Sequence, residues 1–411
     1  MVFQANKKIK IFGKCKKHVE IKVEFLDQVK KIRTTDHQFE IELDAENYQD
    51  KSFSFSLSCK KQKETIYNCM MGDVYFFMGG KNLFQTIAMS SKIKDYDSDD
   101  IRFINLMDKN QWIISSRDSL NHISVLSYLF AKNFHLLYKI PLGIVIYPNP
   151  EETIFSWLNE SMVMSNIDMK NYINGVFQQN DMHLAKDYTT IQNRFSQIHV
   201  NGVVFYQGEN DFPHFHLYEK ALNYVVRTYR TIFKDIHLPF YIIQMSSFEG
   251  KKDCKIASSE IRIAQSRLAD NKQNIFVVSV VDVDEHQLVS LNKNMLSIRL
   301  ANCVLEKQYK KGKHTLCPQF FSYKKRKDQI DIYTHQNFLS LVSRSGQKLG
   351  FYGVNKDLDH YPIKDVDINN NQISLKINED FQEIRYAYDD NPTCDIFTSN
   401  GLPLLPFKIT L

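Results

Sequence analysis

Along the first sixty residues apolar and polar positions alternate in short runs: "IKIFG" (Ile9 to Gly13), "HVEIKVEFL" (His18 to Leu26), "QFEIEL" (Gln38 to Leu43) and "SFSFSLS" (Ser52 to Ser58). A period of two over such lengths predicts strands with one face buried and one wet, hence a small β-sandwich or sheet. From about Val74 the pattern changes to apolar strand, loop, long helix. "VYFFM" leads to a helix around 119–138, "LGIVIY" (Leu142 to Tyr147) to one around 169–198, and "GVVFYQ" (Gly202 to Gln207) to one near 217–233. "PFYIIQM" (Pro239 to Met245) and "IFVVSVV" (Ile275 to Val281) precede helices near 258–269 and 291–305. Continuous apolar strands alternating with helices specify a parallel sheet covered on both faces.

After about Lys311 short alternating strands return: "IDIYTH" (Ile330 to His335), "QISLKI" (Gln372 to Ile377) and "EIRYAY" (Glu383 to Tyr388), with "INNNQ" (Ile368 to Gln372) as a hairpin turn. The expected organisation is an N-terminal β-domain over 1–71, an α/β domain over 72–310 and a C-terminal β-rich segment over 311–411 that packs with the N-terminal β-domain. A chain of 411 residues exceeds the roughly 250–300 at which one core stops growing, which agrees with several lobes.

Charge and cysteine usage narrow the class. The net charge of +5 is mild, and runs such as "KKRK" (Lys324 to Lys327) read as solvated surface rather than a nucleic-acid patch. The first residues lack the roughly 7–15-residue apolar core of an export signal, and no run reaches the ~18 apolar residues of a membrane span. Seven cysteines are scattered without a C-x-x-C pair or a metal-type cluster. A cytoplasmic protein with reduced thiols, no metal and no organic cofactor is expected.

In open α/β sheets ligands bind beyond the carboxyl ends of the strands, near a topological switch point. The loops there are Gly79-Gly80-Lys81-Asn82, "PNPEET" (Pro148 to Thr153), "QGEND" (Gln207 to Asp211) and "DVDEHQ" (Asp282 to Gln287). Gly79, Gly80, Asn82, Gln207, Gly208, Glu209 and Asp211 are the candidate binding-pocket residues. A second reading makes the Gln207–Asp211 loop a buried polar turn kept for folding.

These loops carry a resemblance. The opening "VFQANKKIKIFGK" is similar to V-L-Q-R-x-x-P-V-x-I-W-G of the sialate O-acetylesterase family, carbohydrate esterases of the SGNH-hydrolase type. "GDVYFFMGGKNL" resembles its G-D-V-W-x-x-S-G-Q-S-N-M, "GVVFYQGEND" its G-x-x-W-Y-Q-G-E-S/N-D, and "LPFYIIQM" its L-P-F-x-x-V-Q-L. "SLNKNMLSIRLA" (Ser290 to Ala301) and the ending from Ile384 to Phe407 complete the order. The resemblance covers essentially the whole chain and implies a flavodoxin-like SGNH sheet. It also implies an esterase that removes acetyl groups from sugar hydroxyls, with serine attack, a histidine base and an oxyanion hole.

The sequence departs from that pattern at the chemistry. Lys81 stands at the serine position and Gly80 at the glutamine. A protonated lysine cannot attack an ester, and a neutral one would give an amide that does not turn over. Where the family has a glycine oxyanion donor, counting back from Trp157 gives Pro150, Glu151 and Thr153. Aligned without gaps, the D-I-H-P histidine motif falls on Gln287 to Ser290; a three-residue insertion would let Asp284 and His286 serve as an alternative dyad. A buried carboxylate is tolerable only when paired, so Lys81 is expected to pair with Glu209 or Glu151, the alternative being a solvated lysine at a loop tip.

Other candidates are weaker. His214 and His216 in "DFPHFHLYE" have metal-pair spacing but no third ligand nearby, and read as an exposed loop; Ser90 and Ser91 lack an elbow. The residues thus favour a non-hydrolytic binder of a carbohydrate or O-acetylated glycan, or a scaffolding protein that meets a protein partner in polysaccharide or glycoprotein metabolism. The alternatives are an active O-acetylesterase using Asp284 and His286, and a purely structural interaction module.

Overall fold

The computed structural model describes residues 1–411 apart from 91–92, 109–110, 117–118, 177–182, 247–254, 270–272, 284–288 and 336–338. Six strands open the chain: β1 (Val2–Gln4), β2 (Ile9–Lys14), β3 (Glu20–Phe25), β4 (Gln28–Arg33), β5 (Gln38–Leu43) and β6 (Phe53–Cys59). They enclose a core that includes Ile21, Val23, Phe25, Leu43 and Phe55, the inward half of the alternation. The next strand, β7 (Gln62–Gly79), is 18 residues long. Its first half pairs antiparallel with β6, Met70 to Gly72 pair parallel with β1, and from Tyr75 onward it lies between two parallel partners, β10 having joined at Asp73.

Those partners belong to the α/β domain: β8 (Ser98–Asn105), β9 (Ile113–Ser115), β10 (Leu142–Pro148), β11 (Gly202–Tyr206), β12 (Phe240–Ile243) and β13 (Ile275–Val278). The order is β13-β12-β11-β7-β10-β8-β9, parallel except for the β8–β9 pair. The chain leaves β7 toward β8 and β10 on one side and later returns to β11 on the other, so the switch point lies at the carboxyl end of β7. Side chains of β7 alternate faces: Val74, Phe76 and Met78 enter one core, Tyr75 and Phe77 the other.

Eight helices are described: α1 (Lys81–Phe84), α2 (Val125–Leu137), α3 (Glu160–Ser165), α4 (Ile167–Val176), α5 (Lys186–Phe195), α6 (Phe215–Ile232), α7 (Lys255–Leu268) and α8 (Val289–Tyr309). In α6, Tyr218, Ala221, Leu222, Val225 and Tyr229 recur at short helical intervals and form a buried stripe that packs on one face of the sheet. Each large apolar side chain so buried contributes about 1.5–3 kcal/mol. Helices α2 and α8 cover the opposite face. Among the described residues no helix is long and apolar enough to cross a membrane.

Strand β8 went unread in the sequence because Arg102 interrupts its apolar run. The arginine is buried, its guanidinium held by the carbonyl and side chain of Asn68. The helix expected over 169–198 is α4 and α5 instead, either side of residues outside the description.

The C-terminal segment holds antiparallel sheets around its own core, including Ile330, Ile332, Phe351, Ile384 and Phe407. Its expected packing on the N-terminal β-domain is not where its described hydrogen bonds go. Most run to α7 and α8: Arg262 donates to the carbonyls of Asp389 and Asp390 at 2.8 and 2.7 Å, and Arg299 to that of Gly401 at 3.3 Å. Arg299 also grips Asp282 through two bonds of 2.7 and 3.0 Å. With the Asp282 side chain 2% and that of Arg299 10% exposed, the pair is shielded from solvent. Removing one member of a buried pair costs about 3–5 kcal/mol because the other charge is stranded. Asp282→Ala is therefore expected to lower the unfolding free energy in urea by that amount; a loss below about 1 kcal/mol would show that the pair does not hold this junction.

Candidate functional site

Three loops meet at the carboxyl ends of β7, β10 and β11. Gly79 makes the meeting possible: its φ is +154°, and a Cβ there would sit 1.9 Å from the Tyr206 carbonyl oxygen. The Gly80 N–H donates to that carbonyl at 2.8 Å, and the Asn149 N–H donates to the Gly79 carbonyl at 2.7 Å. The chain then turns into the single-turn helix α1, which presents Lys81 to solvent and Asn82 toward the β11 loop.

The β11 loop is fastened from below. Asp211, fully buried, accepts the Ile154 N–H at 3.0 and 3.1 Å and a bond from Gln207 Nε2. The Tyr218 hydroxyl donates to the Gln207 carbonyl at 2.9 Å, and Gln265 Nε2 donates to the same oxygen at 3.1 Å. Asn210 Nδ2 reaches the Pro150 carbonyl at 2.7 Å, which ties the loop to the one after β10. Burial pushes the Asp211 carboxyl up to about 7, partly offset by the Gln207 and Ile154 bonds.

Glu209 is the exception, half-buried and facing the first loop. Its Oε1 accepts from Asn82 Nδ2, and Asn82 Oδ1 in turn accepts from Lys293 Nζ at 3.0 Å. Lys293 is buried, its ammonium 4.6 Å from the centre of the Tyr206 ring. A Cβ at Gly80 would be 3.3 Å from Glu209 Oε2, so the bare backbone at 80 leaves the space that this carboxylate occupies. The result is a chain of alternating charge and dipole, Lys293 to Asn82 to Glu209, at the switch point.

The expected pairing of Lys81 with Glu209 or Glu151 is corrected by this geometry. Lys81 is exposed and has no ion pair among the described residues, Glu209 is satisfied by Asn82, and Glu151 is itself exposed. The buried carboxylate of the β10 loop is Glu152, paired with Lys186 at 2.7 Å and His183 at 3.0 Å. Beside it Asp187 accepts from Tyr147, Asn149 and Ser156 at 2.9, 2.8 and 2.7 Å. Asp284 and His286 lie outside the described residues, as does Ser91. His214, expected on an exposed loop, is buried and hydrogen-bonded to Tyr172, and burial pulls its imidazole down to about 4. Among the described residues no three His, Cys, Asp or Glu side chains gather as metal ligands.

Lys293, Glu152 and Asp187 were not read as site residues. For Lys293 a signal existed: it is a lysine in the quoted "SLNKNMLSIRLA" block, at the start of an otherwise apolar helical stripe. Glu152 and Asp187 gave none, being separated by more than thirty positions and joined only through the fold.

Two outcomes test this arrangement. Lys81→Ala is expected to change stability by no more than about 0.5 kcal/mol, as for an unpaired surface residue; a larger loss in chemical denaturation would restore the ion pair. The second concerns Asp211, whose folded carboxyl holds its proton more tightly than the unfolded one. Its contribution is therefore full below the ordinary aspartate range near 4 and is lost as pH rises through about 7. Asp211→Asn is expected to flatten the stability profile between these limits, and an unchanged profile would remove Asp211 as its source.

A family model described as "Carbohydrate esterase, sialic acid-specific acetylesterase" matches residues 93–304, just over half of the chain. The matched span takes in the β11 loop and most of α8 but begins after the loop that carries Lys81. No curated protein sequence matches the chain. Among solved structures it is similar to a carbohydrate acetylesterase from Xanthomonas citri, at 18% identity and a TM-score of 0.85, over 99% of this chain and 97% of that one. A protein from Arabidopsis thaliana matches at 15% identity and a TM-score of 0.41, over 57% of this chain and 98% of that one. The Xanthomonas likeness shows a shared fold from end to end, and the family match goes further: the chain belongs to the sialic acid-specific acetylesterase family of carbohydrate esterases.

Proposed function

We propose that this chain is a non-hydrolytic, carbohydrate-binding member of its family, which takes an O-acetylated or related glycan at the carboxyl ends of β7 and β11. The observation that carries the reading is the exposed Lys81 at the position that the resemblance gives to the attacking serine. An ammonium has no lone pair to offer an acyl carbon, and a neutral amine would end in a stable amide, so neither form supports turnover. Two further features agree with it. The Asn82 amide is held between Lys293 and Glu209, an arrangement that presents hydrogen-bonding groups rather than an activated nucleophile. Glu209 and Asn82 are half-exposed, so the Glu209 carboxylate retains acceptor capacity for sugar hydroxyls beyond the bond from Asn82.

Hydrolysis of p-nitrophenyl acetate and of an O-acetylated sialic acid by the folded protein, beside its His286→Ala variant, separates binding from catalysis. The expected result is no turnover above the variant, together with saturable binding of an O-acetylated sugar in calorimetry. Glu209→Ala is expected to weaken that binding by about tenfold or more, the worth of a charge-assisted hydrogen bond. Turnover that His286→Ala abolishes would overturn the non-hydrolytic reading and establish Asp284 and His286 as a working dyad.

A further inference from the structure

We propose that the groove between α8 and the loop that follows it docks an acidic peptide segment of a partner protein, anchored by an apolar side chain. The cavity there is about 490 Å³, within the roughly 300–1,000 Å³ of ligand-sized pockets. None of the strand-end residues 79–82 or 207–211 lines it. One wall is a single face of α8: Met295, Ile298 and Asn302 follow at intervals of three and four. Met295 and Ile298 are 37% and 42% exposed, although the other side of the same helix is buried against α2. An uncovered apolar stripe on an otherwise packed helix marks a surface that a partner can bury.

The facing wall is basic. The sequence "KKGKH" (Lys310 to His314) curls through three left-handed positions, Lys310, Gly312 and His314, and so brings Lys311, Lys313 and His314 to the rim. Lys311 is held with its ammonium 4.2 Å from the centre of the Tyr138 ring, and Arg344 closes the far end. No Asp or Glu lines the groove among the described residues. Two of its basic residues engage Asp282, which Arg299 holds through two hydrogen bonds and which lies 3.8 Å from the Arg344 guanidinium. Positive charge around an apolar floor complements a segment with carboxylates flanking one hydrophobic residue. The floor also favours a peptide over a sugar: among the described residues lining it there is no Phe, Tyr or Trp to offer a flat ring for stacking, whereas Met295 and Ile298 suit an aliphatic or aromatic side chain.

Selection of a random displayed-peptide library against the full chain tests this directly. The expected winners are acidic with one apolar anchor. Their affinity should fall at least about tenfold on Lys313→Glu and again on Ile298→Glu. Both substitutions are at solvent-facing positions and leave the fold intact, which a circular dichroism melt checks. Binding of the O-acetylated sugar, measured on the same two variants, should be unchanged, so failure here and failure of the carbohydrate reading are told apart. Winners without an acidic bias, or affinities indifferent to both variants, would overturn the proposal. So would Lys313-dependent binding of a sulfated oligosaccharide or of phosphatidylserine vesicles with no peptide selected.

Discussion

Strand β7 must serve two sheets of opposite sense, and the rest of the molecule is arranged around that demand. Up to Cys69 it answers β6 in an antiparallel ladder; from Met70 to Gly72 it runs parallel to β1, and from Asp73 it joins the central parallel sheet. The change of partner takes place around Gly72, where an added Cβ would lie 2.1 Å from the Pro141 carbonyl oxygen. It is held by Asp73, fully buried, which accepts from Gln4 at 2.8 Å, from Tyr48 at 3.1 and 3.2 Å and from Tyr309. The N-terminal lobe and the end of α8 are thus joined through one carboxylate at the amino end of the parallel strand. Such a network is stable because its members satisfy one another; a stranded carboxylate at this depth would cost several kcal/mol.

At the other end of β7 the same strand delivers Gly79 against Tyr206, and the chemistry of the site follows from how its two acids are treated. Asp211 is sealed beneath the loop and works through backbone and amide donors, so it shapes the loop without meeting solvent. Glu209, two residues earlier, keeps one side toward water and shares its charge with Asn82, which Lys293 supports from behind. Burial drives the first acid toward neutrality, whereas the second is half-buried and accepts its bond from Asn82 at the edge of the site. One loop therefore holds a sealed acid and a half-exposed acid within three positions.

Much of the fold was legible because period-two and period-3.6 patterns survive along most of the chain. The parallel strands at Val74, Leu142, Gly202, Phe240 and Ile275 all announced themselves as unbroken apolar runs. Strand β8 did not, since a buried arginine is indistinguishable in sequence from a surface one; only the fold supplies Asn68 as its partner. The site was legible to the extent that it lay on contiguous loops: Gly79, Asn82, Gln207 and Glu209 converge where the strand ends required. Its wiring was not. The Lys81 pairing assumed that the cation on the first loop would answer an acid on a neighbouring loop, whereas the group that answers Glu209 is the Asn82 amide, backed by Lys293 more than two hundred residues away. Within the Gln207–Asp211 loop, Gln207 and Asp211 are engaged in bonds that hold the loop, while Glu209 is half-buried and bonded to Asn82.

The exposure of Lys81 explains how a hydrolase fold can carry a lysine there at all. A nucleophile is placed at the tip of a turn so that its reactive atom faces substrate, and a side chain in that position makes few contacts with the core. Stability therefore constrains the residue at 81 weakly, while it constrains its neighbours strongly: Gly79 by its positive φ and the Tyr206 carbonyl, Leu83 by complete burial, Asn82 by bonds to both sides. On the reading proposed above, exchanging a serine at this point removes chemistry without removing a fold-determining contact, so the scaffold and its polar loops persist. The same separation applies to Gly80, where the missing side chain leaves Glu209 its place beside the backbone. What holds the loop in shape and what would perform hydrolysis there are different atoms, so the second set is free to change while the first stays fixed.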